Sequence, residues 1–180
     1  MSLLDLLSRK RNEILVLWFD EVINTYPPET ALFIRKQKNR FANPVGATIR
    51  EGLEGVYDEL VGEAAPERLT PFLENIIRIR AVQDFTPSQA VSFIGGLNSI
   101  VRNMIAAEGA LGEVLDEFFS FGEKVDQLTF MAFDLFMKSR EKIYDLKANE
   151  ARNMTFRLIE RMNRMGEAKP EDPDVRGESA

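Results

Sequence analysis

The chain has 180 residues, 44% of them hydrophobic and 29% charged, with a formal net charge of −6. That length and apolar content suit one domain with a real core, and the acidic balance argues against a general nucleic-acid binder or a protein that docks electrostatically on anionic lipid. Cysteine and histidine are both absent, which removes disulfides, thiolate metal sites, iron–sulfur clusters, Ser-His-Asp and Cys-His catalysis, Glu-x-x-His di-iron centres and a proximal-histidine haem.

The N-terminal stretch MSLLDLLSRKRNEILVLWF places Asp5 ahead of the basic cluster Arg9–Arg11. A signal peptide has the opposite order, a basic start and then an uninterrupted apolar run. No run approaches the ~20 apolar residues of a membrane span, so a cytoplasmic protein without membrane insertion is expected. A first helix is predicted from Leu3 to Asn24, stopped by Pro27 and Pro28, with a short helix over Glu29–Lys36 after it. In NRFANPVG, Asn43 reads as an N-cap and Pro44 as the first helical residue. The helix that follows turns Val45, Ile49, Leu53, Val56 and Leu60 to the core. Gly46, Gly52 and Gly55 make it an intrinsically poor helix. Gly52 lies inside the apolar stripe, where the missing side chain predicts a close helix crossing rather than a small cavity.

GEAAPERLTP connects to a helix whose stripe is Leu69, Phe72, Leu73, Ile76 and Ile79. At 100° per residue, Arg80, Gln83 and Asp84 continue that same stripe with polar groups. TPSQ then gives the clearest helix start in the chain: Thr86 caps, Pro87 fits the first turn, and Gln89 completes a capping box. Its helix buries Ala90, Phe93, Ile94, Leu97, Val101 and Met104, and Gly95 and Gly96 on its flanks are expected at further close contacts. AAEGALGE ends it.

From Leu111 to Met165 the pattern stays helical without a proline, and Gly122 is the expected weak point. Val125, Leu128, Ala132, Leu135 and Phe136 form a wide apolar face. The charge-rich stretch after it keeps a narrow seam through Ile143 and Leu146. The seam resumes at Ala151, Met154, Leu158, Met162 and Met165, and the step from Leu146 to Ala151 breaks ideal coiled-coil spacing. Glu123 to Met165 alone would extend ~60 Å, so this helix bends back, pairs with another chain or projects. Leu146, Ala151, Met154, Leu158 and Met162 are therefore the candidate dimer or output helix. The predicted fold is all-α, a helical bundle with a long C-terminal helix. Residues 1–150 form the domain, 151–165 continue the last helix, and the Pro- and acid-rich segment 166–180 is expected to be disordered.

Signals for chemistry are weak. Asp116 with Glu117 and Asp58 with Glu59 read as solvated surface, and GGL in mid-helix lacks the strand–turn–helix context of a phosphate loop. The seven methionines read as core and seam filler. The chain is therefore read as non-enzymatic, with no catalytic, cofactor-binding or metal-ligating residue. One polar constellation remains. Arg80 and Asp84 stand one turn apart and can pair, and Gln83 offers both donors and an acceptor. With Arg40, Asn43 and Gln89 they form either a polar lock that ties the capped turn to the RFANPVG loop or a pocket for a small polar ligand. Burying the guanidinium requires a partner in both cases.

RFANPVG at Arg40–Gly46, IIRIRAVQDFTPSQAVSF at Ile76–Phe93 and AFDLFMKSREKIYDLKANE at Ala132–Glu150 together resemble the RsbRD N-terminal domain family. Arg40, Asn43, Pro44, Arg80, Gln83, Asp84, Pro87 and Gln89 match its pattern, over roughly Ile14 to Asn153. The resemblance implies a globin-like helical fold related to the non-haem globin domain of stressosome RsbR proteins. It also implies a sensory or regulatory input module acting through protein contacts, a homodimer joined by terminal helices, and a protein partner that is a regulatory or redox complex. The chain resembles a standalone member, with no output domain following the last helix. The alternative reading is a globin-like sensor for a small molecule, with haem possible only through Met or Tyr ligation.

Overall fold

The computed structural model describes residues 2–62 and 66–167. They form six α-helices and, among the described residues, no strand: α1 (Leu3–Ile23), α2 (Pro28–Lys36), α3 (Pro44–Val61), α4 (Pro66–Ala81), α5 (Pro87–Ala107) and α6 (Leu115–Glu167). The all-α class read from the sequence is the observed one. The chain divides after Arg140 into a helical domain and a second unit that begins at Glu141, the distal part of α6.

Helix boundaries follow local chemistry. Four helices start on proline, whose missing N–H costs nothing in the first turn. Asn43 Oδ1 accepts from Gly46 N at 2.9 Å. At α5 the capping box is complete, with Gln89 N donating to Thr86 Oγ1 and Thr86 N donating to Gln89 Oε1 at 3.0 Å. The end of α5 is a Schellman turn: Gly109 adopts φ +67°, and Ala110 N and Gly109 N donate to Ile105 O and Ala106 O. Helix α6 starts at Leu115 instead of Leu111, because Ala110–Val114 form the turn that follows and bury Ala110 and Val114. Gly122 does not interrupt α6, and the helix continues through Gly166 to Glu167. Residues 168–180, which make up most of the segment expected to be disordered, lie outside the described residues.

In the helical domain α1 is the central element, packed against α3 on one side and α5 on the other. Ile14, Trp18, Val22 and Ile23 are fully buried. Two buried side chains fasten it to its neighbours: Trp18 Nε1 donates to Phe93 O of α5 at 2.8 Å, and the Tyr57 hydroxyl of α3 donates to Leu7 O at 2.9 Å. Each places an aromatic body in the core and satisfies its one polar atom on a carbonyl. Helix α5 is long and apolar enough, by length and composition, to cross a membrane. Its apolar face, from Ala90 to Ile105, is instead spent on the domain core.

The closest approach is between α3 and α4. A Cβ at Gly52 would stand 2.6 Å from Ile76 Cγ1 and 3.1 Å from the Phe72 carbonyl oxygen, and a Cβ at Gly55 would collide with the Phe72 ring. The expected close crossing at Gly52 is present. Phe72, placed in the core stripe by spacing, instead lies over Gly55 at the domain's edge and stays 36% exposed, while Ile77 takes a core position. Of the two α5 glycines, Gly95 has nothing within 4 Å of its would-be Cβ and Gly96 has only an ordinary 3.5 Å contact with Glu21. They do not mark close crossings.

Opposite signs follow for two glycine-to-alanine changes. Gly95→Ala gains helix propensity at no steric cost and stabilises by about 0.5–1 kcal/mol. Gly52→Ala forces fully buried Ile76 aside and destabilises by about 2 kcal/mol despite the same propensity gain. Urea unfolding of the two variants measures both.

Candidate functional site

Arg80 is the centre of the domain's polar interior. It stands in the last turn of α4, four residues and one turn beyond Ile76, so the face that fills the Gly52 notch also delivers the guanidinium inward. Arg80 is completely buried. Its Nε donates to Ala90 O at 2.8 Å, and its Nη2 donates to Gln89 O and Thr25 Oγ1, both at 3.0 Å. Thr25 in turn donates to Val22 O at 2.6 Å. One side chain thus joins the end of α4, the first turn of α5 and the turn after α1.

Aromatic rings enclose the cation. The guanidinium carbon lies 4.1 Å from the Phe85 ring centroid, 5.5 Å from Phe93 and 5.7 Å from Tyr26. Tyr26 and Phe85 meet edge to face at 5.5 Å. Such faces attract a desolvated guanidinium. Burial pushes the Arg80 pKa down and the Tyr26 hydroxyl up. Arginine nonetheless stays protonated in proteins, so the interior holds a positive charge whose protein acceptors are neutral.

The six candidate polar residues do not form one lock. Only Arg80, Gln83 and the Gln89 carbonyl meet at this place. The Gln89 side chain is used by the capping box. Asp84 is exposed and makes no ion pair with Arg80, because the guanidinium turns into the core while Asp84 faces solvent. Asn43, 3% exposed, works at a different junction: its Nδ2 donates to Ile34 O and Gln37 O, both at 2.9 Å, fixing the end of α2 to the start of α3. Arg40 pairs with Glu51 on the surface at 2.9 Å. The tie between the capped turn and the RFANPVG loop is therefore replaced by two separate joints. Thr25, Tyr26, Phe85 and Phe93 complete the Arg80 environment. Thr25 lies 55 residues from Arg80 and leaves no local pattern with it, and only the polar break in the α4 stripe points here.

A second cation, Arg140 of α6, sits at the same end of α4, its Nη1 donating to Ala81 O at 3.1 Å and to Gln83 O at 3.4 Å. It satisfies carbonyls that the helix end leaves open, where the helix dipole favours positive charge. Elsewhere a surface cleft of about 410 Å³ runs between α1 and α3 and includes Arg11, Phe19, Arg35 and Arg50. Arg11 is bidentate to Asp58 and Arg35 pairs with Asp20, while Arg50 stacks on Phe19 at 4.3 Å. Among the described residues no group of acidic side chains is placed to hold a metal ion.

Helix α6 carries two apolar faces within the domain. Phe121, Val125, Leu128, Ala132 and Phe136 are buried in the core, with Leu135 half-buried at the edge. Phe119, Phe130, Phe133 and Met137 recur on another side of the helix and are exposed, Phe130 by 70%. In the distal unit Leu146, Ala151, Met154, Leu158 and Met162 are all exposed.

Fold and site together define an all-α domain organised around a buried arginine. Residues 12–151 match the family of RsbT co-antagonist protein rsbRD N-terminal domains, and the chain belongs to that family. It is also similar to an uncharacterized protein of Archaeoglobus fulgidus, 24% identical over 143 residues that cover 78% of this chain and 83% of the relative. No solved structure matches the chain.

Arg80→Met is expected to change unfolding free energy by less than about 1.5 kcal/mol, since the volumes are similar and a buried charge disappears. The Gln89 and Ala90 carbonyls lie within the α5 ladder and need no replacement donor. Arg80→Ala leaves a cavity and costs about 3 kcal/mol. Chemical denaturation of both variants checks the difference.

Proposed function

We propose that the protein is a non-enzymatic regulatory input module of the cytoplasm that acts through protein–protein contacts and works as a homodimer. Its family membership supports the regulatory role. The observation that carries the contact role is the apolar surface of α6. Phe130, Phe133 and Met137 form an exposed apolar patch on one side of α6, with Phe119 on the same side three turns away beyond Glu123 and Asp126, and an exposed apolar patch on a domain that already has a filled core marks a contact surface. The distal unit, taken by itself, exposes Leu146, Met154, Leu158 and Met162, each by more than half. Burying a side chain of this type contributes about 1.5–3 kcal/mol, so a few such residues from each of two copies offset the cost of association. A second reading, a sensor for a small ligand, is favoured by the unpartnered polar atoms around Arg80.

Light scattering at high micromolar concentration is expected to give twice the chain mass. Replacing Leu158 and Met162 together by aspartate is expected to weaken association by at least about tenfold, since each buried apolar side chain is worth more than 1.4 kcal/mol. The helical circular dichroism of the domain should survive. A wild-type protein that stays strictly monomeric contradicts the dimer.

A further inference from the structure

Three of the four buried side-chain polar atoms that lack a hydrogen-bond partner among the described residues belong to one cluster: Arg80 Nη1, the Tyr26 hydroxyl and Gln83 Oε1. The hydroxyl faces both the amide and the guanidinium. The three atoms stand close enough to influence one another, yet no pair of them meets with hydrogen-bond distance and angle. Leaving such atoms unsatisfied is costly, and buried polar groups almost always find a partner.

The charge around the cluster is equally one-sided. Among the described residues every acceptor of Arg80 is neutral. Asp84 is turned to solvent. The first turn of α5, with its positive end, lies against the guanidinium. Two helix C-terminal ends lie nearby: at α4 Arg140 already donates to the Ala81 and Gln83 carbonyls, and at α1 the Arg80 guanidinium meets only the Thr25 hydroxyl. A guanidinium this deeply buried without a counter-charge is among the most expensive groups a core can hold.

The Gln83 amide decides what chemistry the cluster accepts. Its oxygen and nitrogen are interchangeable by a half-turn about the last side-chain bond. In the turned orientation Nε2 replaces Oε1, and the cluster consists of three donors, an N–H of the guanidinium, a phenolic O–H and an amide N–H. Three donors, one net positive charge and a wall of aromatic rings suit a small monovalent anion and are too few and too enclosed for a phosphate or a nucleotide. We infer that the Arg80–Tyr26–Gln83 cluster is a binding site for a small monovalent anion, a halide or a carboxylate of about formate size, which serves as the counter-ion of Arg80. This goes beyond the regulatory reading and does not depend on the dimer.

Bromide is the direct probe. Thermal unfolding of the full chain is followed in sodium bromide, with a bulky sulfonate replacing bromide at constant sodium and a parallel series in formate. The melting temperature is expected to rise by about 4 °C for each tenfold increase in bromide or formate once the site is occupied. Crystals grown in bromide should show an anomalous peak within hydrogen-bond distance of Arg80 Nη1. Arg80→Met abolishes the rise, and Tyr26→Phe, which keeps the ring and its contact with Phe85, reduces it. A rise in formate alone still supports the site and narrows it to carboxylates. Equal melting in bromide, formate and sulfonate with no anomalous peak overturns it and leaves a water as the occupant. A rise that survives Tyr26→Phe unchanged overturns it as well, even where Arg80→Met fails to fold.

Discussion

Helix α4 lies as close to α3 as it does because α3 has no side chain at positions 52 and 55. Ile76 fills the first notch and the Phe72 ring covers the second. Once Ile76 is seated, the rotation of α4 about its axis is fixed, since residues one turn apart share a face. Arg80 then points into the interior, and the helix cannot turn it outward without withdrawing Ile76. The close crossing thus determines that a charged side chain ends in the core.

That enforced burial explains the chemistry gathered at the end of α4. Three aromatic rings, two carbonyls from the first turn of α5 and the Thr25 hydroxyl surround the guanidinium. The contacts join the end of α4, the first turn of α5 and the turn after α1, the last of them 55 residues from Arg80. They do so, among the described residues, with neutral partners only. Any displacement of the guanidinium therefore bears on α1, α4 and α5 together. Arg140 holds the same α4 end from α6, which places the helix with the exposed apolar stripe one contact away. A change at the cluster has a short physical route to the surface proposed for partner contact.

Much of this was legible in the sequence. Asn43 and Thr86 announced their helices because an N-cap is a local device, readable from a few adjacent residues. Gly52 announced the crossing because a glycine inside an apolar stripe leaves few other meanings. The polar break at Arg80 and Gln83 coincides with the buried guanidinium. What periodicity could not supply was the identity of the opposing surface. It gives the face a residue occupies, never what that face meets, so spacing alone pairs Asp84 with Arg80 although Asp84 is exposed. Thr25, Tyr26 and Phe93 carry no mark that separates them from ordinary turn and core residues. The exposed patch of Phe130, Phe133 and Met137 is hidden for a related reason, because a helix with two apolar faces looks like one broad face when read along the chain.

The central claim is that the glycine notch places a hydrogen-bonded, fully enclosed guanidinium in the core. Proton exchange at Arg80 Nε, followed by nitrogen-resolved NMR, tests it most directly. The Nε–H bonded to Ala90 O should exchange far more slowly than that of exposed Arg40 or Arg102, and Gly52→Ala, which displaces Ile76 one turn away, should accelerate it markedly while the domain remains folded. Fast exchange in the unaltered protein, or slow exchange that Gly52→Ala leaves untouched, would contradict the account.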